Sequence, residues 1–254
     1  MPAGMPQADD SAGSDPGGRL GGALSDGARS GVKAPAEAAE VPARAAEVPA
    51  GAAEVPAAAK ATSGPRAFNP LRVGRLEAAV WVAYYRRKWA RFLVLSILVV
   101  RSAFGMDWIR TVHGAWLVLR ANQLWAPPEL GSDVAGARRC MRRFYALLRL
   151  THGVPANPAR AAELEVEWWG VHRRHQRGEN GDATPLVDAL ARLYAFSFGI
   201  DEAALRPAAE QRARAMDMVD QWVKEGRRMD SPLLPSMRAA LGRSYAALLA
   251  GVHH

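Results

Sequence analysis

The stretch ELEVEWWGVHRRHQRGENGD, residues 163–182, holds the side chains of this chain best suited to chemistry. Glu165, Trp168, Trp169 and His172 fall within two turns of a helix and share a face. His175 lies one turn beyond His172. A carboxylate, an imidazole and flat aromatic walls are the components of a ligand pocket. A Glu–His pair also divides acid from base duty where burial separates the two pKa values. The same residues have a plain packing role. Tryptophans fill core and boundary space, Glu165 pairs with a nearby arginine, and histidines at a helix C-terminus suit its dipole. Glu165, His172 and His175 are therefore the catalytic candidates, with Trp168 and Trp169 as candidate pocket walls. Tyr84, off the main stripe of its helix, and Asn122, polar beside an apolar stripe, complete the pocket set.

Wider tests for chemistry fail. Di-iron carboxylate bundles need Glu-x-x-His, because residues three apart share a helix face. The residues three before His113, His152, His172 and His175 are Arg110, Arg149, Trp169 and His172. H-E-x-x-H and paired Cys ligands are absent, as are a Walker A loop, a Gly-x-Gly-x-x-Gly fingerprint and a G-x-S-x-G elbow. The one cysteine, Cys140, makes no internal disulfide and sits where a small apolar side chain belongs. The sequence thus calls for no metal and no cofactor.

The elements that would position these residues are legible from residue 68 onward. Trp81, Tyr85, Trp89, Phe92, Ser96 and Val99 mark one face of a helix from about Leu71 to Phe104, ended by Gly105. Asp107 is placed to cap a second helix, with Trp108, Val112, Trp116 and Leu119 as its stripe. Asp133 opens a third, with Gly153 at its end. Asn157-Pro158 opens the fourth, Thr184-Pro185 the fifth, Pro207 the sixth and Ser231-Pro232 the last. No alternating strand pattern appears. The expected fold is all-α, a single orthogonal or bundle-like domain of about seven helices over residues 66–252.

Residues 1–65 read as a disordered Ala/Pro/Gly-rich tail. It contains the low-complexity repeats AAEVPAR, AAEVPAG and AAEVPAA. Their period of seven is no coiled coil, since proline in each copy breaks a helix and no large residue fills a seam. Such a segment buries too little apolar surface to offset its ordering entropy and serves as a spacer or tether.

Charge divides the remainder. Residues 65–149 hold 15 basic against four acidic residues, whereas 13 meet 13 from residue 150 onward. Arg86-Arg87-Lys88, Arg138-Arg139 and Arg142-Arg143 are the clusters in the basic half. Arg138, Arg139, Arg142 and Arg143 form a candidate interaction surface for an acidic protein, phosphate backbones or anionic lipid. Nucleic acid is the less favoured partner, because no recognition motif accompanies the arginines. RRKWARFLVLSILVVR resembles an interfacial helix in pattern, but an apolar helix in a seven-helix core looks the same. The run Phe92–Val100 is too short to span a bilayer. The first thirty residues have neither an apolar signal core nor the acid-poor, Arg-rich character of a transit peptide. A cytoplasmic location is expected.

The leading expectation is a cytoplasmic helical protein-interaction module, an adaptor or regulatory protein whose partner is another protein or a second copy. The alternative is an enzyme or small-ligand binder with its pocket on the helix of Glu165, Trp168 and His172. A nucleic-acid or anionic-membrane-surface binder is the second alternative.

Overall fold

The computed structural model describes residues 64–126 and 131–253. The tail repeats and Pro127-Pro128 lie outside the described residues. Eight helices are present among the described residues: α1 Pro70–Tyr85, α2 Trp89–Phe104, α3 Trp108–Trp125, α4 Val134–His152, α5 Pro158–Gln176, α6 Thr184–Phe198, α7 Glu202–Lys224 and α8 Leu233–Val252. Each helix packs on its neighbours in sequence, and α8 packs on α1, which closes the circuit. None is long and apolar enough to cross a membrane.

Most of the punctuation acts as expected. The side chains of Asp107, Asp133 and Asn157 accept backbone N–H groups at the starts of α3, α4 and α5, satisfying donors that a helix start leaves unpaired. Gly105, Gly153 and Gly199 end α2, α4 and α6 in the left-handed conformation that glycine adopts without a Cβ penalty.

Four local expectations are corrected. The helix expected from Leu71 to Phe104 is two helices, so there are eight rather than seven. The break falls at Arg86-Arg87-Lys88, where Arg87 takes a φ of 54°. The Lys88 N–H donates to the Ala83 carbonyl and the Arg87 N–H to that of Tyr84. That paired closure is a Schellman stop made without glycine. It turns α2 so that Trp89 packs edge-on against Tyr84, ring centroids 5.9 Å apart.

At α6 the cap comes from Asp182, whose Oδ1 accepts the Thr184 N–H at 2.8 Å. Thr184 itself is already helical. Pro207 does not open a helix: α7 starts five residues earlier, capped by the Asp201 side chain on the Ala203 N–H, and runs through the proline.

The fourth correction concerns α3. Trp108, Val112 and Trp116 point outward, while Gly114, Ala115, Leu117, Val118 and Ala121 face the core. Close helix approach explains this choice. A Cβ on Gly114 would already lie 3.3 Å from the Phe144 ring of α4, so the face turned to α4 must be the small one.

Candidate functional site

The predicted catalytic residues all occur on α5, which meets α4 and α7 through their side chains. Glu165 is fully buried. Its Oε2 accepts from the Tyr145 hydroxyl at 2.6 Å and its Oε1 from the Trp169 indole at 3.2 Å. Burial pushes the Glu165 carboxyl up to about 7, only partly offset by these donors and by the Arg212 charge. Burial likewise raises the Tyr145 hydroxyl well above its ordinary range, and the adjoining Glu165 charge adds to this.

Beside Glu165 lies a second polar group that the residue spacing did not reveal. Arg212 of α7 makes a two-pronged ion pair with Glu77 of α1, at 3.0 and 2.6 Å. Glu77 also accepts from the Tyr245 hydroxyl of α8 at 2.7 Å. The Arg212 guanidinium sits against the rings of Trp81 and Trp168, 5.6 and 5.8 Å from their centroids. Burial opposes its charge most strongly, but Glu77, Tyr194 and Tyr245 together outweigh burial and hold the guanidinium well above its ordinary range. Trp168 is therefore a wall, but the wall of a filled ion pair.

One and two turns further along α5 the contacts become wetter. His172 Nε2 lies 3.0 Å from Asp220 Oδ2, with the imidazole 1% and the carboxylate 11% exposed. Gln176 and Tyr85 donate to the other Asp220 oxygen at 2.8 and 3.4 Å. A carboxylate only accepts here, which assigns the His172 proton to Nε2. His175 pairs with the half-exposed Asp217 at 2.8 Å. Glu165 and His172 share α5 but bond to different partners, so they do not form a dyad with each other.

The other pocket candidates are also engaged. Tyr84 is buried against Tyr85, Trp89 and Phe92, and burial pushes its hydroxyl up to about 12. Asn122 is buried and donates to the Val118 carbonyl at 2.9 Å. Trp169 stacks edge-on with Trp125 and Trp168. Cys140 is half-buried, and desolvation raises its thiol, the reverse of an activated nucleophile. No cluster of His, Cys, Asp and Glu among the described residues is arranged to hold a metal.

The surface holds the opposite arrangement: apolar groups where polar ones belong. Trp108, Ile109, Val112 and Trp116 are all exposed on the outer side of α3, Ile109 by 84%. His113, Arg120 and Gln123 share that side. Arg101 of α2 stacks on Trp108, its guanidinium carbon 4.3 Å from the ring centroid, and is held there by donating to the Met106 carbonyl at 2.7 Å. On the neighbouring α4, Arg138, Arg139, Arg142 and Arg143 are all exposed. Arg143 and Arg139 of α4 and Arg120 of α3 all act on the Cys140 thiol, so the two helices' charges adjoin. Two acidic residues adjoin them: Asp107 caps α3 and pairs with Arg110 at 2.9 Å, and Asp133 caps α4 and lies 3.7 Å from Arg139. Ile109 was not singled out by spacing. The available signal was that α3 is apolar on both sides, with small residues on one and tryptophans on the other.

No protein-family model matches this chain, and neither a curated protein nor a solved structure matches it.

Proposed function

We propose that this chain is a helical docking module, an adaptor or regulatory protein of the cytoplasm, that engages its partner through the outer face of α3 and the flanking arginines of α2 and α4. One observation carries the proposal: Trp108, Ile109, Val112 and Trp116 form a single exposed apolar stripe within a basic surround. Contiguous exposed apolar surface of this kind opposes solubility unless a partner covers it. Tryptophan and arginine are also the residues that anchor interfaces most strongly. In this reading residues 1–65 are a tether.

An acid–base centre at Glu165 is the second reading, favoured by a carboxyl poised at about 7. It carries less, because both carboxyl oxygens are already bonded and the group has no exposed surface.

The test is photocrosslinking in the source cells, with a photoreactive residue at position 112 and, as control, at Arg214 on the outer side of α7. Adducts at 112 that exceed the control and vanish with Ile109→Glu are expected. Charge reversal at Arg139 and Arg143, the α4 arginines that adjoin Arg120 of α3, should weaken them, as should added salt. Equal adduct yields at the two positions would sink the proposal.

A further inference from the structure

We infer that the partner of the α3 face is an anionic lipid surface, on which the chain lies peripherally with Trp108, Ile109, Val112 and Trp116 inserted. The inference rests on the docking reading and names its occupant.

Three properties of the face select lipid. The first is charge. Arg101 and Arg120 border the stripe and Arg143 of α4 extends the field, while the adjoining Asp107 and Asp133 are already paired with Arg110 and Arg139. A second copy of this chain would bring two such basic faces together, so self-association through α3 is repelled, whereas anionic headgroups are attracted.

The second is shape. The stripe lies on the outside of a helix, and Ile109 is the most exposed large apolar residue in the described chain. A protruding apolar side chain needs either a matching cleft or a fluid receptor. The acyl boundary of a bilayer is fluid and needs no prior complementarity.

The third is residue type and reach. Residues 108 to 116 span about 12 Å along a helix axis, a length that lies flat in the headgroup region. Tryptophan is the side chain that prefers this region, its indole apolar in body and polar at one edge. From Thr111 onward the N–H groups of α3 are bonded within the helix, and the Asp107 side chain takes the Arg110 N–H in the first turn. None of the described helices is able to span a bilayer, so attachment is by one face.

The experiment is co-sedimentation of the full chain with vesicles of phosphatidylcholine alone, and with vesicles containing a minority of phosphatidylglycerol. Binding to the anionic vesicles is expected, on the order of tenfold tighter or more than to the neutral ones, and weakening with salt. The Ile109→Glu/Val112→Glu double variant is expected to lose about tenfold or more in binding while melting as wild type. Arg120→Glu provides a second variant that tests charge without touching the apolar stripe. Equal binding to both vesicles, binding to neither, or wild-type binding by the double variant overturns the inference. If the chain ignores both vesicles yet crosslinks to a protein through position 112, the lipid assignment fails and the docking reading survives. If neither occurs, both fail.

Discussion

Arg212 and Glu77 stand 135 residues apart in sequence and meet through two hydrogen bonds of 3.0 and 2.6 Å. Both side chains are almost completely buried. This pair joins α7 to α1, and Tyr245 brings α8 to the same carboxylate. Removing one partner strands the other charge away from water, which is more damaging than the pair is stabilising. Arg212→Met is therefore expected to cost about 3–5 kcal/mol. Adding Glu77→Gln, which removes the stranded charge but keeps an acceptor for Tyr245, should recover much of that loss. Urea denaturation of the two single variants and the double variant measures the coupling. Additive losses would show that the pair does not act as a unit.

Glu165 makes stability depend on pH. Its carboxyl titrates near 4.5 in an ordinary setting and at about 7 in the fold. Between those values the folded chain retains a proton that the unfolded chain has lost. Stability from this group is therefore full below the lower value and falls as pH rises through the window, by on the order of 3 kcal/mol in all. Above the window the penalty stays constant. Glu165→Gln should abolish this component, so the wild-type and variant melting temperatures diverge as pH rises and the wild type becomes the less stable. Parallel profiles would refute the assignment.

The two sides of α3 predict opposite costs. Leu117 is buried and Ile109 exposed. Leu117→Ala should destabilise by about 2–5 kcal/mol through cavity formation. Ile109→Glu should stay within about 0.5 kcal/mol of wild type, as surface changes do. Thermal or urea unfolding decides this, and a large loss from Ile109→Glu would turn the helix over.

Gly74 of α1 faces Gly242 of α8 at close range. A Cβ at position 74 would sit 2.7 Å from the Gly242 backbone nitrogen and 2.9 Å from its Cα. Backbone cannot yield as a side chain does, so Gly74→Ala must push the two helices apart. A loss of about 1–3 kcal/mol is expected despite alanine's better helix propensity. If unfolding shows Gly74→Ala to be neutral or stabilising, the close packing of α1 on α8 is wrong.

Much of the fold was readable from local chemistry. Asp107, Asp133 and Asn157 cap the helices they precede, because a side-chain oxygen two or three residues from a free N–H needs no tertiary help. The break at Arg87 was hidden because a glycine normally marks such a stop and none is there. In the polar interior, Glu165, Trp169 and His172 were identifiable as one face of a helix. Their partners Tyr145, Asp220 and the neighbouring Arg212–Glu77 pair were not, since each lies on another helix at long sequence separation.

By itself, then, the sequence determined that this chain makes amphipathic helices, where most of them start and stop, and that the basic charge lies in the first half of the helical region. Tertiary structure alone decided which side of α3 meets water. Both sides are apolar, and periodicity carries no information about which will be covered; the narrow gap to Phe144 of α4 admits Gly114 but not tryptophan. It also decided that the carboxylate and imidazole of α5 lie among buried partners rather than facing a cleft. Burial depends on what the other seven helices bring against that face, and no spacing within α5 encodes it.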